Sequence, residues 1–577
     1  MIDKLPVLRS AQSIVVALAL LFAAVFFLPY LAPVTPVVSI SYVVGYSNRA
    51  AFFLFAVGSV IFAFLVRERL PVCDAADQRL GAPSLFAASA IALFFCCRRL
   101  LPFKQHIVGD EAGYALNRIQ MLVSGHKPYL GFEYGYGPAH LYLPVLFSHF
   151  THGSIVRGYY VWWIAQWLGG TAMLWLAVRW LDLPLRRRRI LFWLLFLLQL
   201  PGILNEGTAY TPTRTVGAAF FVIVVASLWN PRRKAMPTIV VGLFCVLAAF
   251  AISPEQGIAV FAGLLLWFIG LAADDASQFT AIAAALFACG GFILTAICWR
   301  LGEFTTLIAF SAGAYSFPLL PSPTNAVILS AYLASACVGV RALLTRRLDS
   351  VVVPLFFTGF ALLPAAMGRC DAGHLMAAAP ILLLGTASVE GWRSVRRWWS
   401  PLAIVFVVLP IPTISLYLRH LLHQKQLLGV SSPASAPRPG AAIFADASGA
   451  CPIIYRTFNV EPEPDRTSTQ DCLDTGRYYR MINALTPQAV DAVIADLYRQ
   501  PRQPLLLLND SLEHQLQPLD IDLVALLALE VSPWVPRIRN PPFTYRKLID
   551  AIERDYRPAP APTGPFRVWY PKAAPPA

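Results

Sequence analysis

The sequence GDEAGY at residues 109–114, followed by EYGYGPAH at residues 133–140, interrupts a chain that is otherwise dominated by apolar runs. The interruption is polar, acidic and rich in glycine. Its carboxylates, Asp110 and Glu111, lie close in sequence to segments that are apolar enough to cross a membrane. Because a carboxylate beside hydrocarbon is costly to place, we interpret this stretch as a functional site.

The composition is that of a helical membrane protein. Of the 577 residues, 57% are hydrophobic and 14% are charged, whereas soluble proteins are about 25% charged. Apolar runs of about 20 residues recur along the chain, which predicts an all-α polytopic membrane protein with about 13 transmembrane helices. The first run lacks a small-residue cleavage site, so we expect a retained span. The predicted spans are 14–31, 50–66, 83–101, 156–181, 189–204, 215–229, 235–253, 256–272, 278–298, 324–344, 350–366, 373–389 and 400–418.

Arginine runs predict the orientation of these spans. The run at 186–189 and the basic clusters at 232–234, 341–347 and 393–397 each follow an apolar run, which is typical of cytoplasmic loops. The net charge of +14 therefore does not indicate nucleic acid as a partner. Residues 138–150 are too few to cross roughly 30 Å of hydrocarbon as a helix. We interpret them as a lid on the outer surface, which places the N-terminus in the cytoplasm.

Three basic residues count against this topology. Arg98, Arg99 and Lys104 fall on the outer side, although outer loops are usually poor in arginine and lysine. The alternative, in which residues 138–150 are a span, moves the four-arginine run to the outer side. We keep the first topology because it leaves fewer basic residues outside.

The odd number of spans sends the C-terminal part of the chain to the outer side. Residues 419–440 contain a stretch rich in Pro, Ser and Ala, which predicts a linker. Residues 441–577 follow as a small extracytoplasmic α/β domain with a disordered Pro/Ala-rich end. Whether Cys451 and Cys472 are paired there stays open. The predicted elements are strands at 441–445 and 505–508 and helices at 487–499 and 545–556.

In this topology most polar side chains lie in outer loops, whereas the inner loops contain mainly arginine. Such one-sided polarity predicts a reaction site at the outer membrane–water interface. Asp110 and Glu111 begin a predicted amphipathic helix at 112–124. Carboxylates at a helix start also stabilise the positive helix end, which is the structural alternative for this pair. The apolar face of the helix consists of Ala112, Leu116, Ile119 and Val123.

The first large outer loop resembles that of the GT-C glycosyltransferases, to which protein O-mannosyltransferases and the lipid A aminoarabinose transferase belong. The shared features are an Asp-Glu pair, an amphipathic helix, and Gly-Pro followed by Leu-Tyr-Leu-Pro. The resemblance covers residues 105–385 and implies a GT-C-like transmembrane domain at 1–418 with an outer catalytic loop at 102–155. It also implies transfer of a sugar from a polyprenyl-phosphate donor to an extracytoplasmic lipid, glycan or protein. The implied general base is Asp110.

The chemistry of such a transfer gives roles to the other candidates. Asp110 or Glu111 can take the proton of the acceptor hydroxyl. Arg214 and Arg369 can hold the departing phosphate, with Lys127 in reserve. An arginine at a span end also anchors in lipid headgroups, which is the structural alternative for both arginines. The residues predicted to bind substrate are Glu133, His140, Glu206, Tyr210, Glu255, Asp371 and His374. Glu303 lies in another outer loop and has no predicted role.

Several alternatives stay open. His374, Asp371 and Glu255 are candidate ligands for a divalent cation, Mg²⁺ or Mn²⁺, although no metal motif of fixed spacing is present. A lipid-linked glycan polymerase or ligase would share the donor. A secondary transporter would use the acids as ion sites, but such sites usually lie at the middle of broken spans. An assembly scaffold would not depend on Asp110. For all of these we expect a multi-pass protein of the bacterial inner membrane, with the C-terminal domain in the periplasm.

Overall fold

The structure is a computed structural model. It describes residues 11–387 except for 35–38, 40, 42–43, 67–79, 101–109, 124, 126, 130–133, 182, 230–234, 276–277, 305–306, 309–315, 322, 346–350, 371–373 and 376–377. Beyond residue 387 it describes residues 442–445, 478–480, 491, 494–495, 506–509, 542–560 and 566–572.

The described part of the chain up to residue 387 is a bundle of α-helices. Short 3₁₀ turns lie at Leu28–Leu31, Leu200–Asn205 and Thr208–Tyr210. The helices are α1 (Ala11–Phe27), α2 (Asn48–Leu65), α3 (Ala82–Leu100), α4 (Asp110–Val123), α5 (Ala139–Phe150), α6 (Ile155–Trp180), α7 (Leu185–Gln199), α8 (Pro212–Leu228), α9 (Ala235–Ile252), α10 (Pro254–Asp275), α11 (Gln278–Arg300), α12 (Pro323–Leu344), α13 (Val352–Arg369) and α14 (Ala379–Ala387).

The helices have the length and composition of membrane spans. Within the described residues, six of them are long and apolar enough to cross a bilayer, and several shorter apolar helices accompany them. Large apolar side chains such as Phe53, Phe86 and Phe244 are more than half exposed, as expected for a surface that faces lipid. The predicted membrane protein of helical class is thus supported. The predicted span at 400–418 lies outside the described residues.

Residues 139–150 form a helix that packs against the beginning of α6. The two helices make a hairpin, and Gly158 allows their close approach because a Cβ atom there would lie 2.3 Å from the carbonyl oxygen of Pro144. With 12 residues at 1.5 Å each, α5 is about 18 Å long, too short for a span. Its predicted position on the outer surface stays a prediction.

The amphipathic helix after Asp110 is observed, with one difference from the prediction. Ala112, Leu116 and Ile119 are buried as expected, whereas Val123 is 51% exposed. Val123 is the last residue of α4, where the chain leaves the packed surface, so helical periodicity no longer decides its burial. Arg118 is also buried, which the apolar pattern did not predict.

The C-terminal part contains a helix, α15 (Pro542–Asp555), and five strands: β1 (Ala442–Ala445), β2 (Tyr478–Arg480), β3 (Leu506–Asn509), β4 (Tyr556–Pro558) and β5 (Phe566–Pro571). The strands form one sheet with the order β2-β1-β3-β5-β4. Its first three strands are parallel, and β5 pairs antiparallel with both β3 and β4. The observed β1, β3 and α15 agree with the predicted strands at 441–445 and 505–508 and the predicted helix at 545–556. The linker, Cys451, Cys472 and most of 487–499 lie outside the described residues.

Strand β5 was not predicted from the sequence. It lies close to the chain end that the composition predicted to be disordered. Instead, it pairs with β3 in a regular register, with Val568 opposite Leu507 and Trp569 opposite Leu506. The proline and alanine content around it gave no sign of this short strand, which pairs with both β3 and β4.

Candidate functional site

Segments that are far apart in the sequence meet around Arg214, in the first turn of α8. The loop before α5 contributes Tyr136, the start of α10 contributes Glu255, and the turn after α11 contributes Glu303, which interacts electrostatically with Glu255. These are three of the predicted outer loops. The structure thus brings together residues that the predicted topology had placed on one side of the membrane.

The guanidinium of Arg214 is held by an acid and an aromatic ring. Its Nη2 atom lies 2.5 Å from Oε1 of Glu255, and its central carbon lies 4.9 Å from the ring centroid of Tyr136. The side-chain amide of Gln256 donates a hydrogen bond to the main-chain carbonyl of Arg214, and Tyr210 is close enough to interact electrostatically with the guanidinium. Both charged side chains stay partly exposed, 18% for Arg214 and 14% for Glu255.

The glycines of the EYGYGPAH motif allow this loop to approach α9. The amide of Gly137 donates to the carbonyl of Ile252 at 2.9 Å. A Cβ atom at Gly137 would lie 2.3 Å from the carbonyl oxygen of Ala251, so a larger residue would push the loop away. Because Tyr136 directly precedes Gly137, this contact also places the tyrosine ring on Arg214.

His140, the last residue of the motif, is fully buried. The indole nitrogen of Trp162 donates to its Nδ1 atom at 3.3 Å, and its ring meets the ring of Tyr136 edge to face. Burial, and then the charge of Arg214, lower the pKa of His140 to about 3. A neutral imidazole without exposed surface supports the loop and does not reach an open substrate site in this conformation.

Glu303 is a buried acid that sequence reasoning left without a role. Its side chain is 2% exposed, and its Oε1 atom makes no hydrogen bond with the described residues. Burial raises its pKa to about 7; the nearby charge of Glu255 adds to this, and a hydrogen bond with Cys298 opposes it. The signal in the sequence was an acid that directly follows an apolar run.

A second arginine–glutamate pair joins the last turn of α3 to the loop that precedes α8. Nε of Arg99 lies 2.8 Å from Oε1 of Glu206, which is completely buried. The hydroxyl of Tyr160 donates to Oε2 of the same carboxylate at 2.6 Å, and the hydroxyl of Tyr159 donates to its main-chain carbonyl at 2.6 Å. Glu206 also has a left-handed backbone, with φ at 50°. We interpret it as an anchor of the loop; the substrate contact predicted for it would require this network to open.

This pair accounts for one of the three basic residues that count against the predicted topology. Arg99 lies on the predicted outer side because it neutralises Glu206, another residue of an outer loop. Sequence reasoning missed the roles of Arg99, Tyr159 and Tyr160, since a basic residue at a span end normally reports orientation only.

The predicted catalytic pair begins the helix that packs beside this region. Helix α4 starts at Asp110 and contacts the 3₁₀ turns at Leu200–Asn205 and Thr208–Tyr210, which lead directly into Arg214. The side chains of Asp110 and Glu111 lie outside the described part of the structure, so their predicted roles stay predictions.

The remaining predicted residues are less closely connected. Lys127 is exposed in the loop after α4, and His374 is half-buried. Arg369 is the last residue of α13, but its side chain is outside the described set, as are Glu133 and Asp371 as a whole. The described residues contain no group of three His, Cys, Asp or Glu side chains that could hold a metal ion.

Comparison of the chain with protein-family models, with curated proteins and with solved structures finds no match. The resemblance of the acidic loop to GT-C enzymes therefore stays a prediction based on its own residues.

Proposed function

We propose that this protein is a membrane glycosyltransferase that moves a sugar from a polyprenyl-phosphate donor to an extracytoplasmic acceptor. One observation carries the proposal: the helix that begins with Asp110 and Glu111 packs on the short turn that leads into Arg214. The helix that has the acidic start and the helix that begins near the partly exposed arginine are thus linked through neighbouring elements. Sugar transfer from a phosphate needs a base and a cation close together.

Arg214 is the cation of this proposed site. A guanidinium has five donors in a fixed plane, and Glu255 takes the donor at Nη2, so further donors are available for phosphate oxygens. When the bond between sugar and phosphate breaks, negative charge grows on the phosphate. A fixed positive charge at that position stabilises the transition state more than the bound donor.

Asp110 is the proposed general base. It takes the proton of the acceptor hydroxyl while the oxygen attacks the anomeric carbon, the sugar–phosphate bond breaks, and the polyprenyl phosphate leaves with the bonding electrons. Attack from the side opposite the phosphate inverts the anomeric configuration, so a retained configuration in the product would contradict this mechanism. Glu111, the neighbouring acid, is the second candidate for the base.

The setting of the site follows from the predicted topology. The exposed apolar surface of the helices contacts lipid, where a polyprenyl chain can approach laterally. We place the reaction on the periplasmic side of a bacterial inner membrane, with the C-terminal domain on the same side, near the acceptor. A lipid-linked glycan polymerase or ligase would use the same donor site with a longer acceptor.

The test is transfer of a radiolabelled sugar from polyprenyl-phosphate donors by the purified full-length protein. We expect transfer by the natural protein and loss of transfer in Asp110→Asn and Arg214→Gln. Asp274→Asn is a suitable control because it removes a carboxylate at the far end of α10. Transfer that survives in Asp110→Asn would move the base to Glu111. If well-folded protein transfers no sugar from any donor, the transporter and scaffold alternatives become the better explanations.

A further inference from the structure

The carboxylate of Glu255 occupies the position where a phosphate would bind Arg214. Its Oε1 atom lies 2.5 Å from Nη2 of the guanidinium. A phosphate binds arginine through the same kind of charged oxygen, along the same donor directions. An incoming phosphate must therefore share the guanidinium with Glu255 or replace it.

Contacts other than that of Glu255 keep Arg214 in place. The guanidinium stacks on Tyr136, and the loop that contains Tyr136 is tied to α9 through Gly137. Gln256 holds the main chain of Arg214 through its side-chain amide. Because none of these contacts uses the Glu255 carboxylate, we expect the guanidinium to keep its position when that carboxylate is neutralised.

Glu255 is also placed so that it can leave Arg214 at moderate cost. It lies in the first turn of α10, where the positive end of the helix dipole stabilises a carboxylate. Its side chain is 14% exposed, so water can reach it. Glu206 differs on both points. It lies in a loop, and it is completely buried and bonded to Tyr160 as well as to Arg99.

We propose that Glu255 is a resident competitor for the phosphate site: it neutralises Arg214 while no donor is bound and is exchanged for the donor phosphate. This inference rests on the proposed function, because the phosphate belongs to the lipid-linked sugar. The competing carboxylate weakens phosphate binding through like-charge repulsion as well as through occupancy of the guanidinium. It also favours release of the product polyprenyl phosphate, since Glu255 can return to Arg214.

Phosphate binding to the purified full-length protein in detergent tests the exchange. Isothermal titration with a short-chain polyprenyl monophosphate, and separately with inorganic phosphate, compares the natural protein with Glu255→Gln. Glutamine keeps the size of the side chain and one oxygen but removes the charge. We expect Glu255→Gln to bind the polyprenyl phosphate about tenfold more tightly, which corresponds to the loss of one partly screened charge contact. If Glu255→Gln binds inorganic phosphate more tightly but binds the polyprenyl phosphate unchanged, the assignment to a lipid-linked donor is wrong.

Two further variants make the result specific. Asp274→Asn removes one negative charge from the opposite end of the same helix, about 28 Å away at 1.5 Å per residue, and we expect unchanged affinity. An equal gain in Asp274→Asn would mean that net charge alone matters, which overturns the inference.

Glu255→Asp keeps the charge but shortens the side chain, so we expect a smaller gain than in Glu255→Gln. It provides the test if the glutamine variant does not fold, and a loss of affinity in Glu255→Asp would count against exchange.

The same titrations separate this inference from the proposed function. If Arg214→Gln abolishes binding while Glu255→Gln binds unchanged or more weakly, Glu255 orients Arg214 and does not compete with the ligand; the inference is then wrong and the proposed phosphate site stands. Absence of binding in both the natural protein and Glu255→Gln would overturn both.

Discussion

The two arginine–glutamate pairs at this end of the bundle differ in how completely the protein surrounds the carboxylate. Glu206 has no exposed surface and takes hydrogen bonds from Tyr160 and Tyr159 in addition to its contact with Arg99. Glu255 is partly exposed and pairs with Arg214 on an aromatic ring. The same two residue types thus make a closed pair and an open pair, joined by the short segment from Glu206 to Arg214.

This difference in exposure distinguishes a charge pair that holds the structure from one that a ligand can reach. Removing two charges from water costs free energy. A buried ion pair offsets this cost only when ion-pair contacts and hydrogen bonds engage the carboxylate oxygens. In the pair of Arg99 and Glu206, Tyr160 donates to one carboxylate oxygen and Arg99 forms an ion pair with the other at 2.8 Å, and these contacts fix the loop before α8. The pair of Arg214 and Glu255 keeps access to solvent, and it is therefore the one we assign to the proposed reaction.

Breaking the closed pair should give the largest loss of stability. We expect Arg99→Met to reduce the free energy of unfolding by about 3–5 kcal/mol, because the carboxylate of Glu206, which has no exposed surface, loses the counter-charge of Arg99. Thermal unfolding in detergent measures this. The double variant Arg99→Met, Glu206→Leu should recover much of the loss, since it removes both charges together. A single variant that is as stable as the natural protein would contradict the closed character of the pair.

Breaking the open pair should instead affect activity. We expect Arg214→Gln to reduce sugar transfer by about 10²–10³-fold, the usual effect of losing one transition-state charge contact. The free energy of unfolding should fall by less than in Arg99→Met, because the Glu255 carboxylate left behind is 14% exposed and lies at the positive end of α10. Transfer kinetics and thermal unfolding on the same preparation separate the two effects. Comparable losses of stability in Arg214→Gln and Arg99→Met would remove the distinction between the pairs.

Glu303 should make the open region sensitive to pH. Burial raises its pKa to about 7, above that of a carboxyl in the unfolded chain, so the folded state binds a proton more strongly. Stability from this group is therefore present at low pH and decreases as the pH rises from about 4.5 to about 7, by about 3 kcal/mol. Glu255 and Cys298 are the titratable groups known to act on it. Thermal unfolding across this range should show a smaller decrease in Glu303→Gln; an identical pH profile would contradict the prediction.

The smallest effects concern the tyrosines of the closed pair. We expect Tyr160→Phe to cost about 2 kcal/mol, because its hydroxyl donates to a buried charged oxygen. Tyr159→Phe is the matched control: its hydroxyl donates to a neutral carbonyl of the same residue, so a loss of about 1 kcal/mol is expected. Unfolding measurements that rank Tyr159→Phe above Tyr160→Phe would show that the carboxylate of Glu206 is not the centre of the network.

The helices themselves were predictable from the amino-acid sequence. Apolar runs that match the thickness of a bilayer, with arginines between them, predicted helices close to the observed bounds for every proposed span up to α13. Asp110 correctly marked the start of α4, and short apolar runs marked β1 and β3. Such features are local, since hydrogen bonds within one segment and the polarity of that segment determine them.

The pairing of charges was decided only by the tertiary structure. The sequence grouped Arg214, Glu206 and Glu255 as residues of outer loops, but it gave no reason to join Arg99 to Glu206 or to separate a closed pair from an open one. These pairings depend on which helix ends meet and on contacts as specific as that of Gly137 with the end of α9. Packing between segments distant in sequence determines them, and a linear pattern of polarity does not contain that information.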